Sequence, residues 1–274
     1  MPNVPPAPHA RLTENDTHSQ RQVAESYGAD TERYDRTRPR YPEGMIQKII
    51  AETPGPELLD VGAGTGIAGL AFQAAGCKVL GVEPDPRMAA FARDHGLAVE
   101  VGKFEDWDAA GRTFDGVLAG MAWHWIDPAA GAAKAAEVLR PGGRLSLFWN
   151  AFQPAKDIAD AFAAVYARVL PDSPIYQRGM AGAESYNGVL TRSAEGLKGT
   201  GAFAEPEQWK FGWRRDYTRE EWLDQIPTFG GHGQLPPEEL KALLDGIGAA
   251  IDERGGSFTM DYTAVVLTTV RSGS

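Results

Sequence analysis

Cysteine and positive charge are scarce in this chain of 274 residues. The single cysteine, Cys77, excludes an internal disulfide and any cysteine-based metal cluster. Cys77 opens a predicted strand, where we expect a buried small apolar residue. The 27 Lys and Arg residues are outnumbered by 37 Asp and Glu, which gives a formal net charge of −10. Nucleic acid and anionic membranes are therefore not expected as partners.

Long apolar runs are absent as well. None approaches the roughly 18 residues that a membrane span requires, and the N-terminal MPNVPPAPHARL lacks the continuous apolar core of a signal peptide. Residues 1–22 are rich in Pro, Asn, Thr and His without an apolar period, which predicts a flexible tail. Residues 23–274 suffice for one α/β domain with insertions. We expect a cytoplasmic protein.

Residues 58–76, LLDVGAGTGIAGLAFQAAG, have the pattern of a buried strand, a glycine turn and a helix. Gly62, Gly64 and Gly66 allow the backbone to fold tightly against a ligand, and the helix offers free N–H groups at its start. The next strand, CKVLGVE, ends on Glu83, whose carboxylate is positioned to accept both hydroxyls of a ribose. The pattern predicts a nucleotide-binding turn; a tight turn without a ligand is the alternative.

The glycine spacing separates two ligand classes. From Gly62 it is G-x-G-x-G, whereas the dinucleotide fingerprint G-x-G-x-x-G requires Gly or Ala at Ile67. From Gly64 the fingerprint is met through Gly69, but that start comes two residues late. Asp60 favours S-adenosylmethionine (SAM), because a carboxylate at the end of an apolar strand needs a partner and the α-amino group of SAM is one. A dinucleotide offers no obvious cation there.

Predicted strands and helices alternate up to Asn150, which is typical of a parallel sheet covered by helices. Beyond the second strand, candidates lie near residues 98–101, 116–119 and 144–149. Near the C-terminus, QWKFGWRRDY and SFTMDYTAVVLTTVR are further strand candidates with two predicted helices between them. A second mononucleotide-binding half, expected of a dinucleotide dehydrogenase, is not found.

The alternation stops after Asn150. Residues 151–205 begin with a helical tendency and then become irregular, with Tyr176 and Met180 among many glycines. An insertion after the fifth strand lies beside the carboxyl ends of the strands, where ligands bind in open α/β sheets. We interpret it as a lid; the alternative is a helical decoration packed away from the site.

Several motifs, in order along the chain, resemble those of class I SAM-dependent methyltransferases. LLDVGAGTG and VEPDPRM are similar to the first two motifs, GKFEDWD to the loop after the third strand, FDGVLAGMAWHWID to the fourth strand, and AAEVLRPGGRLSLFWN to the fifth. The resemblance implies a Rossmann-like seven-stranded sheet, mostly parallel, with helices on both faces and the last strand antiparallel. ESYGADTERYDRTRPRYP and the dipeptide HW resemble the branch of trans-aconitate methyltransferase and other small-molecule methyltransferases.

The resemblance implies SAM as the cofactor and S-adenosylhomocysteine (SAH) as its product. It assigns Asp60 to the methionine amino group, Glu83 and Pro84 to the ribose edge, and Phe104 and Glu105 to adenine. The expected cofactor residues are Tyr34, Arg38, Asp60, Gly62, Gly64, Gly66, Glu83, Pro84, Phe104, Glu105 and Gly120.

Tyr34 and Arg38 lie in a segment similar to the family's Y…RP.YP pattern. There an aromatic face favours the sulfonium cation, and an arginine can hold the methionine carboxylate. The alternative is that Tyr34 and Tyr41 are core aromatics and that Arg38 pairs on the surface.

Substrate-facing groups are expected at the exit of the fourth strand and in the C-terminal region. His124 is the candidate base, because a neutral imidazole can deprotonate a hydroxyl or thiol near pH 7. The competing interpretation is a histidine held by a backbone carbonyl. The expected substrate-binding residues are Tyr27, Met121, Trp123, Trp125 and His232.

Three functions remain open from the sequence. The first is transfer of the SAM methyl group to a small-molecule acceptor through an O, N, S or C atom. The second is a SAM-binding regulatory or partner protein without catalysis, and the third is an NAD-dependent oxidoreductase. No metal is expected, since Asp127 and Asn150 alone are too few ligands. The sequence does not distinguish a monomer from a homodimer.

Overall fold

The computed structural model describes residues 27–171, 184 and 186–273. The tail expected over residues 1–22, and Tyr176 and Met180 of the insertion, lie outside the described residues.

The described residues form one sheet whose order is β3-β2-β1-β4-β5-β7-β6. Its strands are β1 (Glu57–Val61), β2 (Lys78–Glu83), β3 (Ala98–Val101), β4 (Phe114–Gly120), β5 (Leu139–Pro154), β6 (Glu207–Thr218) and β7 (Ser257–Val270). The pairs among β1 to β5 are parallel, and β7 runs antiparallel to both β5 and β6. The predicted seven-stranded sheet with an antiparallel last strand is confirmed.

Helices alternate with these strands as the sequence predicts. They are α1 (Thr31–Thr37), α2 (Glu43–Glu52), α3 (Ile67–Ala74), α4 (Pro86–Asp94), α5 (Pro128–Val138), α6 (Lys156–Val169), α7 (Asn187–Thr200), α8 (Arg219–Gln225) and α9 (Pro237–Asp252). None of the helices within the described ranges is long and apolar enough to cross a membrane.

Both faces of the sheet are covered, because neighbouring strand residues point to opposite sides. Leu58 of β1 packs in a core cluster with residues of α2, α3 and α4. Leu59 and Val61 of the same strand pack in a second cluster with residues of α5 and α7. A third cluster joins α6, α8 and α9 to β7, and its Phe162 and Trp222 rings stack with centroids 6.0 Å apart. Helices therefore pack on both faces of the sheet, as predicted.

The fifth strand is longer than predicted. The sequence indicates residues 144–149, whereas β5 spans Leu139–Pro154. The strand continues because β7 pairs with it as far as Pro154, opposite Met260. Residues 151–154 thus belong to the sheet and not to the insertion.

The described part of the insertion packs in two directions. Helix α6 contributes Phe162 to the third cluster, whereas α7 contributes Leu190 and Leu197 to the cluster of α5. Whether this insertion acts as a lid stays a prediction.

Helix α8 begins with a capping box that predicts a measurable stability term. The Glu221 N–H donates to Thr218 Oγ1 at 3.2 Å, and the Thr218 N–H donates to Glu221 Oε2 at 2.9 Å. Thr218→Ala should lower the free energy of unfolding by about 1 kcal/mol, measured by urea denaturation. Thr218→Ser retains the cap oxygen and serves as the control. Equal stability of the Ala and Ser variants would contradict this role.

Candidate functional site

The loop after β1 folds back across the tip of β2. Gly62 and Gly64 have φ angles of +67° and +57°, a region that side chains disfavour. The Gly62 N–H donates to the Val82 carbonyl at 2.8 Å. A Cβ on Gly62 would lie 2.5 Å from the Ala122 Cβ, whereas a Cβ on Gly64 would meet only Met88 Sδ, at 3.7 Å. Gly64 therefore presents its backbone to an open cleft.

Glu83 ties this loop to the tip of β2. Its carboxylate accepts from the Gly64 N–H at 2.8 Å and from the Asp85 N–H at 2.9 Å. The side chain is 7% exposed, and burial raises its pKa to about 7. Each carboxylate oxygen has a second lone-pair direction, so Glu83 can still accept hydroxyl donors from a ligand.

Asp60 is the least compensated acidic group near the loop. It is 1% exposed, and neither carboxylate oxygen has a hydrogen-bond partner among the described residues. Burial raises the pKa of Asp60 to about 7, and the Glu83 carboxylate adds to this rise. The nearby Gly69 N–H opposes the rise in pKa, although it makes no hydrogen bond to Asp60 by distance and angle. An unpartnered buried carboxylate is stabilised by a cation or a strong donor. The Asp60 side chain therefore fits the amino end of a ligand.

The cleft has two lobes of about 900 and 990 Å³, counted with the solvent at their mouths. The residues that line both lobes are Tyr27, Tyr34, Gly62, Gly64, Gly120 and Met121. The first lobe is also lined by Glu83, Pro84, Asp85, Met88, Phe104, Glu105, Trp125 and Ile126. The second is also lined by Arg38, Tyr41, Asp60, Asn150, Phe152, Tyr186, Gln225, Phe229 and Tyr262. One ligand can therefore extend from the first lobe to the second.

Arg38 lies among aromatic rings in the second lobe. Its guanidinium carbon is 4.7 Å from the centroid of Tyr34 and 5.4 Å from that of Phe229. The guanidinium donates to the Thr228 carbonyl, and its buried Nε has no hydrogen-bond partner among the described residues. The alternative of a surface ion pair finds no support in the described salt bridges. Arg38 thus keeps a donor for an anionic group.

The N-terminal segment covers the cleft through α1. Asp35 of α1 accepts from Thr65 Oγ1 of the glycine loop at 2.9 Å, and Arg36 pairs with Asp224 of α8 at 2.7 Å. These contacts hold Tyr27 and Tyr34 between the two lobes.

The exit of β4 divides its side chains between the cleft and the core. Met121 has a φ of +54°, a strained conformation for a side-chain-bearing residue, and lines both lobes. Residues Trp123–Trp125 form one 3₁₀ turn, in which successive side chains point in different directions. Trp125 lines the first lobe, whereas Trp123 is 2% exposed and packs against Phe104 at 6.1 Å between ring centroids.

His124 lies outside the lining of both lobes. Trp149 Nε1 donates to His124 Nδ1 at 3.2 Å, and burial lowers the pKa of His124 to about 4. The imidazole is therefore neutral at pH 7, with Nδ1 already accepting a hydrogen bond. An indole, and not the backbone carbonyl named in the competing interpretation, is its partner at this atom.

His232 is also absent from the lining. It is 2% exposed, and its Nε2 lies 2.9 Å from the Tyr166 hydroxyl in the third core cluster. Phe229 and Gly230, just before it, line the second lobe instead. Gly66 likewise lies behind the cleft, where it precedes α3 with a φ of +92°.

Sequence reasoning missed most of the second lobe. Phe152, Gln225, Phe229 and Tyr262 line it. Asn150 lines it too, with Oδ1 accepting from Trp213 Nε1 at 3.3 Å. No local motif marks these residues, because they come from β5, α8, the loop after α8 and β7.

Comparison with known proteins identifies the domain. Residues 59–147 match the family model described as a methyltransferase domain. An uncharacterized methyltransferase of Mycobacterium tuberculosis H37Rv is 37% identical over 139 residues, which cover 49% of this chain and 56% of the relative. The chain carries a methyltransferase domain. The match agrees with the methyltransferase function that the motifs predict for this part of the chain. The trans-aconitate branch stays a prediction.

Other methyltransferases are more distant. A demethylmenaquinone methyltransferase of Corynebacterium kroppenstedtii is 25% identical, over 55% of this chain and 67% of the relative. A solved structure assigned as a type II methyltransferase from Anaeromyxobacter dehalogenans is 20% identical, with a TM-score of 0.58 over 84% of this chain and 97% of that one. This structural likeness supports the fold. The match with the mycobacterial relatives spans only about half of their length.

The methyltransferase site predicts a pH dependence of cofactor binding. Asp60 and Glu83 have pKa values raised to about 7, whereas ligand donors favour their ionised forms. Protonation of each group should therefore make SAH bind about tenfold more weakly at about pH 6 than at about pH 8. SAH binding should also release protons from these two carboxyl groups. Calorimetry in two buffers measures both quantities.

Asn and Gln variants separate the two groups. Asp60→Asn and Glu83→Gln should each weaken SAH binding and remove part of its pH dependence. In the free protein, the raised pKa values of Asp60 and Glu83 mean that protonation of these groups favours the folded state. This contribution to the free energy of unfolding is fully present below about pH 4 and is lost as the pH rises through about 7. Either variant should reduce the decrease in the free energy of unfolding as the pH rises. The exposed Asp94→Asn is the control, and an unchanged profile in Asp60→Asn would exclude Asp60 from the site.

Proposed function

We propose that the protein transfers the methyl group of SAM to a small molecule. The observation that carries this proposal is the meeting of the two lobes at Gly64, Gly120 and Met121. The family cofactor would fill the first lobe and reach Asp60 and Arg38 in the second, which leaves the rest of the second lobe for an acceptor. The distant demethylmenaquinone methyltransferases act on a small molecule by name, which supports the same class.

Different residues of the first lobe are assigned to different parts of the cofactor. We assign Glu83 and Pro84 to the ribose, and Phe104 and Glu105 to the adenine. Phe104 is 3% exposed and offers an edge to stack against, whereas Glu105 Oε1 accepts from the Asp127 N–H at 3.3 Å and can shape the adenine edge.

The methionine end needs one anionic and one cationic partner. Asp60, unpartnered and buried, suits the amino group, and Arg38, with a free buried Nε, suits the carboxylate. Tyr27 and Tyr34 line both lobes and place aromatic rings near the junction, where a ring face favours a cation.

Methyl transfer demands alignment more than acid–base chemistry. The SAM sulfonium supplies a methyl carbon to which the acceptor lone pair bonds, while the C–S electron pair stays on sulfur and any acceptor proton leaves to solvent. The protein contributes a dry and fixed junction. Tyr27 and Tyr186 stay protonated, because burial raises the pKa of each to about 12. We infer that the acceptor atom is nucleophilic without a protein base.

Gly64→Val tests the cofactor assignment. The side chain would occupy the cleft, so SAM binding by calorimetry should be lost while the fold persists. Gly76→Val is the matched control, since Gly76 also has a positive φ and open space, but lies after α3. Wild-type protein should bind SAM and SAH and not NAD. SAM binding by Gly64→Val would make the glycine turn merely structural.

Activity is tested with radiolabelled SAM and a panel of small phenols, amines, thiols and carboxylic acids. The proposal expects label in at least one acceptor, with SAH formed in equal amount. SAM binding without transfer to any acceptor would favour the second function, a SAM-binding protein without catalysis.

His124 is assigned a positioning role and not that of the base. Its Nδ1 accepts from Trp149 and its pKa is lowered to about 4, so it is already neutral across the range where a base would titrate. His124→Gln should retain turnover of the acceptor found above within about threefold, with the same pH profile. Trp149→Phe removes the donor and is the companion variant. A loss of about 10²-fold or more in His124→Gln, with an acidic limb removed, would restore the base role.

A further inference from the structure

One side chain of the second lobe lacks a hydrogen bond that its neighbours have. Gln225, the last residue of α8, is 2% exposed and lines this lobe, yet its Oε1 has no partner among the described residues. Asn150, in the same lining, is satisfied at both ends: Nδ2 donates to the Arg40 carbonyl at 3.2 Å and Oδ1 accepts from Trp213.

The backbone of Gln225 is fixed independently of its side chain. Thr228 Oγ1 donates to the Gln225 carbonyl at 2.7 Å, and Arg38 donates to the Thr228 carbonyl. The backbone that carries this side chain is therefore anchored at the wall of the lobe. A buried acceptor without a donor costs about 1–3 kcal/mol, which a ligand donor would recover.

The surrounding walls are aromatic and flat. Phe152 and Phe229 lie nearly parallel, with an angle of 11° and 6.0 Å between centroids. Tyr262 stacks on Trp213 at 4.3 Å, and its hydroxyl lies 2.6 Å from the Tyr217 hydroxyl. These rings favour a planar apolar body. The Gln225 side chain interacts with Tyr262, and its Oε1 is left without a donor among the described residues.

We propose that the second lobe binds a planar aromatic acceptor whose hydroxyl or N–H group donates to Gln225 Oε1. This rests on the proposed function, because the part of the second lobe beside Gln225 is an acceptor site only if the cofactor occupies the first lobe and extends into the second no further than Asp60 and Arg38. Gln225 determines specificity and is not a base, since an amide oxygen does not take up a proton at neutral pH. The contact selects molecules that carry a donor and rejects those in which a methyl group blocks it.

Two matched probe pairs test the proposal on protein saturated with SAH. Indole and 1-methylindole differ in one N–H group, and 2-naphthol and 2-methoxynaphthalene differ in one O–H group. We expect each donor probe to bind roughly tenfold or more tightly than its methylated partner by calorimetry. Gln225→Leu should abolish this preference, with SAH affinity unchanged.

The controls separate recognition from folding. Gln225→Glu keeps an acceptor oxygen and should keep the preference, whereas the exposed Gln153→Leu should behave as wild type. Equal binding of both members of each pair, no binding of any probe, or a preserved preference in Gln225→Leu would overturn the proposal. Failure of SAH to bind the wild-type protein would instead overturn the proposed function.

Discussion

The buried Glu83 carboxylate is the interaction on which the site depends. It accepts from the Gly64 N–H of one loop and the Asp85 N–H of another, and so fixes the tips of β1 and β2 relative to each other. Without it, two orphaned N–H groups would face the same cleft. Burial raises the pKa of this carboxyl group to about 7. Further hydrogen-bond donors from a ligand would therefore favour its ionised form.

The rest of the cleft follows from what this junction leaves open. Glycines at positive φ let a ligand approach the backbone closely. The Asp60 carboxylate has no hydrogen-bond partner among the described residues. Helix α1 covers the junction through its contacts with Thr65 and Asp224. The long strands β5 and β7 extend past the parallel sheet and support the aromatic walls of the second lobe. Cofactor and acceptor regions are thus built from different parts of the chain.

This division explains what the sequence could predict. The glycine turn and Phe104 follow strands and Glu83 ends one, so local spacing located them. The alternation of elements predicted a parallel sheet covered by helices, and the family resemblance implied seven strands with the last one antiparallel. Gln225 and Tyr262 reach the cleft from distant elements, which no local pattern records. His124 and His232 have suitable side chains at suitable places, but a 3₁₀ turn aims His124 at Trp149, and His232 packs beside Tyr166. The residue type and its position in the sequence did not determine the direction in which each histidine side chain points.

The central claim is that Glu83, Asp60 and Arg38 together hold one cofactor across both lobes. A crystal structure of the protein with SAH tests it most directly. The account predicts the ribose hydroxyls on the Glu83 carboxylate, the amino group on Asp60 and the carboxylate on Arg38, with the part of the second lobe beside Gln225 left for the acceptor. Ribose density away from Glu83, or the homocysteine end pointing away from Asp60, would contradict it.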